Sequence, residues 1–243
     1  MAGFQQVKVN RTLEFVDSAA NTVNTEGNFA LDKVMACYEF TELALNDTNL
    51  YTPYIDTTST IALASGGITL TTAATDTKTC TQTQGGIWWY PAKNCIAEFK
   101  FKIDVITTVA IYAGFSDAVS EATSLLPFGL NTATLTDTAT DAAGFLFDTR
   151  QTLDYFNIVN TKNGTEAFTQ LASTYVPVAA TNLTLRVAID TAGGARFYWN
   201  GVEVGYKANA VTTTVPLIPF FGIRNNTATA HVATLRRVRC WQD

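Results

Sequence analysis

The chain has 243 residues, a net charge of −5 and a pI of about 4.9; 47% of its residues are hydrophobic and only 15% are charged. A chain this long buries roughly 70% of the surface that it exposes when unfolded, so its stability requires neither a metal nor a disulfide. The acidic balance argues against a nucleic-acid binder. No apolar run approaches the roughly 18 residues of a membrane span, and residues 1–15 lack the apolar segment of a secretory signal, so we expect a soluble protein made in the cytoplasm.

Residues 1–50 differ in pattern from the rest of the chain. Apolar residues near the start suggest two short strands, and Ala30–Leu45 fits either a helix or a strand centred on 34–40. The region is either an arm that packs on neighbouring subunits or the first strand pair of the main domain. We assign residues 1–50 to an N-terminal arm or extension and residues 51–243 to a β-sandwich.

The four cysteines, Cys37, Cys80, Cys95 and Cys240, contain no CxxC pair, so we expect no zinc site. In a reducing cytoplasm they should be free and mostly buried thiols. A disulfide between Cys80 and Cys95 is the alternative, because these two residues flank a glycine pair.

Two adjacent tryptophans, Trp88 and Trp89, stand in the sequence GIWWY. On a strand they point to opposite faces. One of them can enter the core, whereas the other must meet a second layer, a partner or a ligand.

Strands with period-two alternation follow. In residues 97–105, apolar residues alternate without a fault with a charged outer face of glutamate, lysine and aspartate. Short strands are predicted at 144–148 and 153–159. Pro219, inside the strand 217–224, predicts an edge position or a bulge. In the last strand, 231–241, the apolar phase changes at Arg236-Arg237, which predicts a β-bulge.

The stretch 182–206, NLTLRVAIDTAGGARFYWNGVEVGY, predicts three antiparallel strands with tight connections. Its strongest signal is Asn200-Gly201, because a type I′ hairpin turn needs a positive φ at both central residues. A second Asn-Gly pair stands at residues 163–164. This meander identifies the chain as an all-β, two-sheet antiparallel sandwich.

Several segments together resemble concanavalin A-like jelly-roll domains of bacteriophage virion proteins. They are AEFKFKID, AGFSDA, GFLFDT, the hairpin FYWNG, the closing PFFGIR and the final VATLRRVRCW, all within residues 95–241. The resemblance implies a jelly-roll sandwich with a concave face. It also implies a role as a capsid decoration (cement) protein, a head fibre or a tail-associated module, commonly as a homotrimer.

Enzymatic and metal sites are weakly supported. Retaining glucanases of this fold carry E-x-D-x-x-E on one strand, which places two carboxylates about 5–5.5 Å apart on the concave face. That triplet is absent, and Glu98, Asp104 and Glu203 do not replace it. Asp137 and Asp141 share one loop, but their spacing is that of a solvated turn rather than a calcium loop. We expect no enzyme activity, no metal and no cofactor.

The sequence therefore predicts a non-enzymatic structural virion protein that binds and stabilises the assembled capsid shell, with the major capsid protein and itself as partners. The predicted location is the capsid surface. The alternative is a carbohydrate-binding adhesin module of a head or tail fibre. The predicted contact residues are Phe4, Val7, Val9 and Phe15 in the N-terminal stretch, together with Trp88 and Trp89.

Overall fold

The computed structural model describes residues 8–9, 12–13, 34–39, 52–55, 58–64, 66–75, 79–83, 89–118 and 125–243, with side chains for 58–63, 66–75, 89–118 and 125–243. Its regular elements are almost entirely strands. In chain order they are β1 (Lys8–Val9), β2 (Thr12–Leu13), β3 (Val34–Glu39), β4 (Thr52–Ile55), β5 (Thr60–Ala64), β6 (Gly67–Thr71), β7 (Thr79–Thr83), a 3-10 turn (Pro91–Lys93), β8 (Ile96–Ile103), β9 (Val109–Ser116), β10 (Phe128–Asn131), β11 (Thr134–Asp137), β12 (Ala142–Asp148), β13 (Asn157–Lys162), β14 (Thr165–Gln170), β15 (Leu183–Ile189), β16 (Ala195–Trp199), β17 (Val202–Lys207), β18 (Ile218–Asn225) and β19 (Val232–Gln242).

Two large antiparallel sheets form the body of the domain. One has seven strands in the order β14-β13-β12-β9-β18-β7-β4, and the other runs β17-β16-β15-β8-β19-β6-β5, with β3 also pairing with β19. The predicted two-sheet sandwich is confirmed. Among the described residues, no helix is long and apolar enough to cross a membrane.

The main core lies between the two sheets and is built from the inward positions of their strands. Phe101 of β8 meets Phe221 of β18 with ring centroids 4.9 Å apart, and Phe145 of β12 meets Phe197 of β16 edge-on at 5.5 Å. All four rings are buried. Large aromatic pairs that cross the gap therefore hold the sheets together.

The meander forms as predicted. β15 pairs with β16 and β16 with β17, all antiparallel. Asn200 and Gly201 have φ angles of 48° and 87°, and Asn163 and Gly164 have φ angles of 49° and 70°, so both Asn-Gly pairs adopt the left-handed conformations that a type I′ turn requires.

The last strand, β19, carries the predicted bulge. Its register with β8 shifts between Leu235 and Arg237. On its other side, β6 pairs with the residues before the bulge and β3 with those after it. The bulge thus lies where the final strand exchanges one neighbour for another.

Pro219 is not on an edge strand, because β18 lies inside the seven-stranded sheet between β9 and β7. The described ladder to β7 begins only at Phe220, so no described residue of β7 lies opposite the proline nitrogen.

Within the first fifty residues, 34–39 form a strand rather than a helix, and this strand belongs to the eight-stranded sheet. The assignment of residues 1–50 to an arm stays a prediction.

Candidate functional site

The outer face of the seven-stranded sheet is apolar at its central positions. The strands β9, β12 and β18 present Ala110, Tyr112, Ala142, Leu146 and Phe220 on this face, and all five are buried. This part of the sheet therefore offers no paired carboxylates.

A hairpin made of β10 and β11 covers this face. We call residues 126–139 the roof. Phe128 in the roof lies 5.6 Å from the ring of Tyr112, and Leu126, Leu130 and Leu135 complete a second hydrophobic cluster separate from the main core. The centre of the sheet is therefore buried on both sides.

Gly144 allows the ring of Tyr112, a β9 side chain beneath the roof, to lie close to the sheet. The ring of Tyr112 lies so near Gly144 that a Cβ added there would stand 2.5 Å from Tyr112 Cζ. The Tyr112 hydroxyl donates to the carbonyl of Phe115 at 2.7 Å. Burial raises the pKa of this hydroxyl well above its ordinary value, with a further contribution from the charge of Asp117. Tyr112 is thus a neutral structural side chain.

One buried carboxylate fastens the roof to the sheet. Asp148, at the end of β12, accepts hydrogen bonds from Arg224 Nη2 at 2.6 Å, Arg150 Nη2 at 2.9 Å and Asn226 Nδ2 at 2.9 Å. It also accepts the backbone N–H of Leu130 in the roof at 3.1 Å. We call these residues the Asp148 cluster. It was not predicted from the sequence.

Opposite pKa shifts distinguish Asp148 from its neighbour Asp154. Burial alone would raise the pKa of Asp148, but the hydrogen bonds and charges of Arg150 and Arg224 outweigh it and leave the pKa below its ordinary value. The pKa of Asp154 is raised by burial and then by the charge of Asp148. Such a pair can signal acid–base catalysis. Here Asp148 has no exposed surface and both oxygens are occupied, so it cannot reach a substrate.

The carboxylates considered from the sequence lie elsewhere. Glu98 and Glu203 are on the outer face of the other sheet, where they pair with Arg237 and Arg196, each at 3.0 Å. Asp104 caps the adjacent backbone N–H of Val105 at 2.7 Å. None of the three is on the seven-stranded sheet.

The loop carboxylates serve local structure. Asp141 is buried, and its Oδ1 accepts the N–H of Thr212 at 2.5 Å while its Oδ2 accepts that of Asn163 at 3.4 Å. It therefore ties three loops together. Within the described ranges, no group of three His, Cys, Asp or Glu side chains is placed to hold a metal ion.

The outer face of the eight-stranded sheet has a different character. We call it the charged face. It carries the outward positions of β8, β15, β16, β17 and β19, which are partly exposed. Its charged side chains are Lys100, Lys102, Arg186, Arg196, Arg237, Arg239, Glu98 and Glu203, together with Asp104 and Asp190 just beyond the ends of β8 and β15.

The predicted contact residues receive little support from their positions. Trp89 is fully buried in the main core and forms a backbone bridge with Leu217, so it offers no surface to a partner. Trp88, Phe4, Val7 and Phe15 lie outside the described residues, and only the backbone of Val9, in β1, is described. The role of these residues stays a prediction.

Cys95 is a free, buried thiol, as expected, and the alternative disulfide to Cys80 is wrong. Burial raises the pKa of the Cys95 thiol. The neutral form therefore predominates, and Cys95 behaves as a small core side chain.

Comparison with known proteins supports the fold. No protein-family model and no curated protein sequence matches the chain. Among solved structures, it is similar to a Bacillus licheniformis beta-glucanase (TM-score 0.58, 12% identity, 86% of this chain and 98% of that chain). It is also similar to peanut lectin (TM-score 0.58, 14% identity, 87% and 98%). A third is the carbohydrate recognition domain of Emp46p in its metal-free form (TM-score 0.55, 9% identity, 84% and 94%). At these identities the likeness concerns the fold alone, and the chain has a concanavalin A-like jelly-roll fold.

Proposed function

We propose that the chain is a non-catalytic carbohydrate-binding module. The observation that carries the proposal is the roof: the outer face of the seven-stranded sheet is apolar and covered by residues 126–139, so it offers no accessible pair of carboxylates. Its structural neighbours include peanut lectin, a carbohydrate recognition domain and a beta-glucanase, which supports a carbohydrate as the ligand.

The absence of chemistry follows from the requirements of glycoside hydrolysis. A retaining or inverting mechanism needs two accessible carboxyl groups that flank the bond to be cleaved. On the covered face, the nearest candidate is Asp148, which is buried among two arginines. A carboxylate held ionised by two guanidinium groups is neither a proton donor nor a nucleophile with access to a sugar.

The test combines a glycan array with a hydrolysis assay on the same purified protein. We expect at least one glycan class to bind, and no release of reducing ends from β-glucans or from the bound glycan. Hydrolysis would show that the roof moves aside during turnover and would reject the non-catalytic role. An array without hits would reject carbohydrate binding.

A second candidate function is the capsid decoration role, which the sequence resemblance within residues 95–241 favours. Binding only to the assembled shell would stabilise the shell by mass action. The edge strand β14 is exposed along all six residues, and such an edge can pair with a neighbouring chain in a homotrimer or on a shell. Trp89 is unavailable for contacts, so they would fall to the N-terminal stretch.

Co-sedimentation with expanded capsids tests this second candidate. Deletion of residues 1–20 is preferable to deletion of 1–50, because β3 belongs to the eight-stranded sheet. The deletion should abolish co-sedimentation while the unfolding midpoint stays unchanged. Undiminished binding by the shortened protein would reject the N-terminal stretch as the docking element.

A further inference from the structure

The charged face concentrates positive charge on an acidic protein. Its six cations and four carboxylates (Glu98, Asp104, Asp190 and Glu203) give it a net charge of +2, whereas the whole chain carries −5. Glu39 of β3 stands opposite Arg237 in the strand register and lowers this surplus by one at most.

The cations form a track along β8 and the strand beside it. Lys102, then Lys100 with its register partner Arg237, then Arg239 opposite Glu98 occupy successive outward positions, and Glu98 pairs with Arg237 at 3.0 Å. Outward positions along a strand repeat about every 6.8 Å, so this track is roughly 14 Å long. At its far end, Trp241 and Ile96 face each other across the two strands and supply a small apolar floor.

Arginines beside the track are held in fixed orientations. The Arg186 guanidinium lies 3.9 Å from the ring centre of Tyr198, and that of Arg196 lies 4.8 Å from that of Tyr206. Arg186 Nε is buried and has no hydrogen-bond partner among the described residues, and Arg196 Nη1 donates to Glu203 at 3.0 Å. Stacking fixes the plane of each guanidinium on its ring.

We propose that the charged face binds an anionic polysaccharide, a chain of sugars that carry carboxylate or sulfate groups. An extended polymer with a charge on each sugar or each second sugar presents its charges in a row, and the track offers a row of cations at a repeat of about 6.8 Å. The inference rests on the proposed carbohydrate-binding function and adds both the ligand class and the surface.

A protein partner fits this face less well. Stable protein interfaces are built around apolar and aromatic anchors and are depleted in lysine. The large apolar side chains that are exposed in the structure are Tyr90, Val105, Leu125, Leu153, Phe168, Val178, Val202 and Tyr206. Of these, only Tyr206 is on the charged face, where Arg196 lies over its ring.

A nucleic acid fits less well for two reasons. Duplex DNA carries one charge per about 1.7 Å, which is far denser than the repeat of about 6.8 Å along the track. Single strands bind by stacking bases on open aromatic rings, whereas Tyr198 and Tyr206 each have a guanidinium over one face.

Titration calorimetry with a charged polymer and its neutral counterpart tests the proposal. The probes are polygalacturonate and the same polymer with its carboxylates methyl-esterified. We expect the full chain to bind polygalacturonate and not the ester. Binding should weaken strongly between about 0.1 M and 1 M salt, as the Debye length falls from about 10 Å to about 3 Å.

Two double variants with equal charge loss provide the matched comparison. Lys100→Ala with Lys102→Ala removes two cations of the track, and Lys93→Ala with Lys162→Ala removes two lysines outside the charged face. We expect the track variant to lose at least about tenfold in affinity and the control less than about twofold. Unchanged unfolding midpoints will show that both variants are folded.

Several outcomes would overturn the inference. Equal losses in both double variants would mean attraction by overall charge without a site. Tighter binding of single-stranded DNA than of polygalacturonate would reassign the face to nucleic acid. Binding of the neutral ester, unaffected by the track variant, would leave the proposed carbohydrate-binding function intact and place the site elsewhere. Absence of glycan binding altogether would reject both.

Discussion

The two outer faces of this sandwich differ in burial and in charge, although they belong to one continuous fold. On the seven-stranded sheet, the outward side chains are apolar and lie under the roof, where they form a second core. On the eight-stranded sheet, the outward side chains are charged and partly exposed. The first face is part of the protein interior, and the second is open to solvent.

The pattern of single strands already distinguishes the two faces. β8 alternates strictly between buried and half-exposed residues, whereas all eight residues of β9 and all seven of β12 are buried. A strand that is apolar at every position must be covered on both sides. An uninterrupted apolar strand in a two-sheet sandwich therefore indicates a third layer, which here is the roof.

The largest expected effect concerns the roof's central ring. Phe128→Ala removes a fully buried ring that contacts Tyr112, and it should lower the free energy of unfolding by about 3–5 kcal/mol. The matched control is Phe168→Ala on the exposed edge strand β14, which should cost less than about 1 kcal/mol. Urea unfolding measures both. Equal costs would mean that the roof is loosely packed.

The next effect concerns the attachment of the roof. Asp148→Asn leaves two arginines without their buried counter-charge and should cost about 3 kcal/mol at pH 7. Because the folded-state pKa of Asp148 is lowered, its contribution is present above the unfolded pKa of about 3.9 and is lost as the pH falls through the folded value.

The difference in unfolding midpoint between the natural chain and Asp148→Asn should therefore shrink between pH 7 and pH 3. Asp104→Asn, at an exposed carboxylate, serves as the control and should differ by less than about 0.5 kcal/mol at either pH. A pH-independent gap would show that Asp148 acts through packing and not through its charge.

A smaller effect is expected where the ring of Tyr112 lies on the sheet. Gly144→Ala places a Cβ 2.5 Å from Tyr112 Cζ, and that ring is held by its hydrogen bond to Phe115. Overpacking of this kind costs roughly 1–3 kcal/mol. Thermal unfolding will report the change, and an unaltered midpoint would mean that the roof moves outward without cost.

The smallest effect belongs to the charged face. Glu203→Gln breaks the ion pair between Glu203 and Arg196. The side chain of Glu203 is 41% exposed and that of Arg196 is 48% exposed. Exposed pairs contribute no more than about 1 kcal/mol and are screened by salt. The unfolding midpoint should shift little at low salt and not at all at high salt. A loss comparable to that of Asp148→Asn would remove the contrast between the faces.

Local patterns in the sequence predicted much of the fold. The alternation of 97–105, the two Asn-Gly turns and the phase change at Arg236-Arg237 each have a short-range physical cause, and the structure confirms all of them. Because proline has no backbone N–H to donate, the sequence predicts an edge position or a bulge at Pro219. In the structure β18 lies inside the sheet, and its described ladder to β7 starts at Phe220.

The roof and the Asp148 cluster could not be predicted from the sequence, because they depend on contacts between distant segments. Asp148 meets Arg224, 76 residues away, and Leu130, 18 residues away. No pattern in the sequence predicts the hairpin of the roof. The apolar runs of β9 and β12 were the available signal, but they do not specify which segment covers them.

The roof begins and ends at neighbouring points of the chain's surface, since the N–H of Thr138 donates to the carbonyl of Pro127 at 2.9 Å. The roof is therefore a local insertion whose two ends are adjacent in the structure. A designer could graft a shorter turn between these two residues and leave the inter-sheet aromatic pairs in place. The product would have an open trough with Tyr112 and Phe220 as its floor, so one excision separates this closed sandwich from a scaffold for new binding clefts.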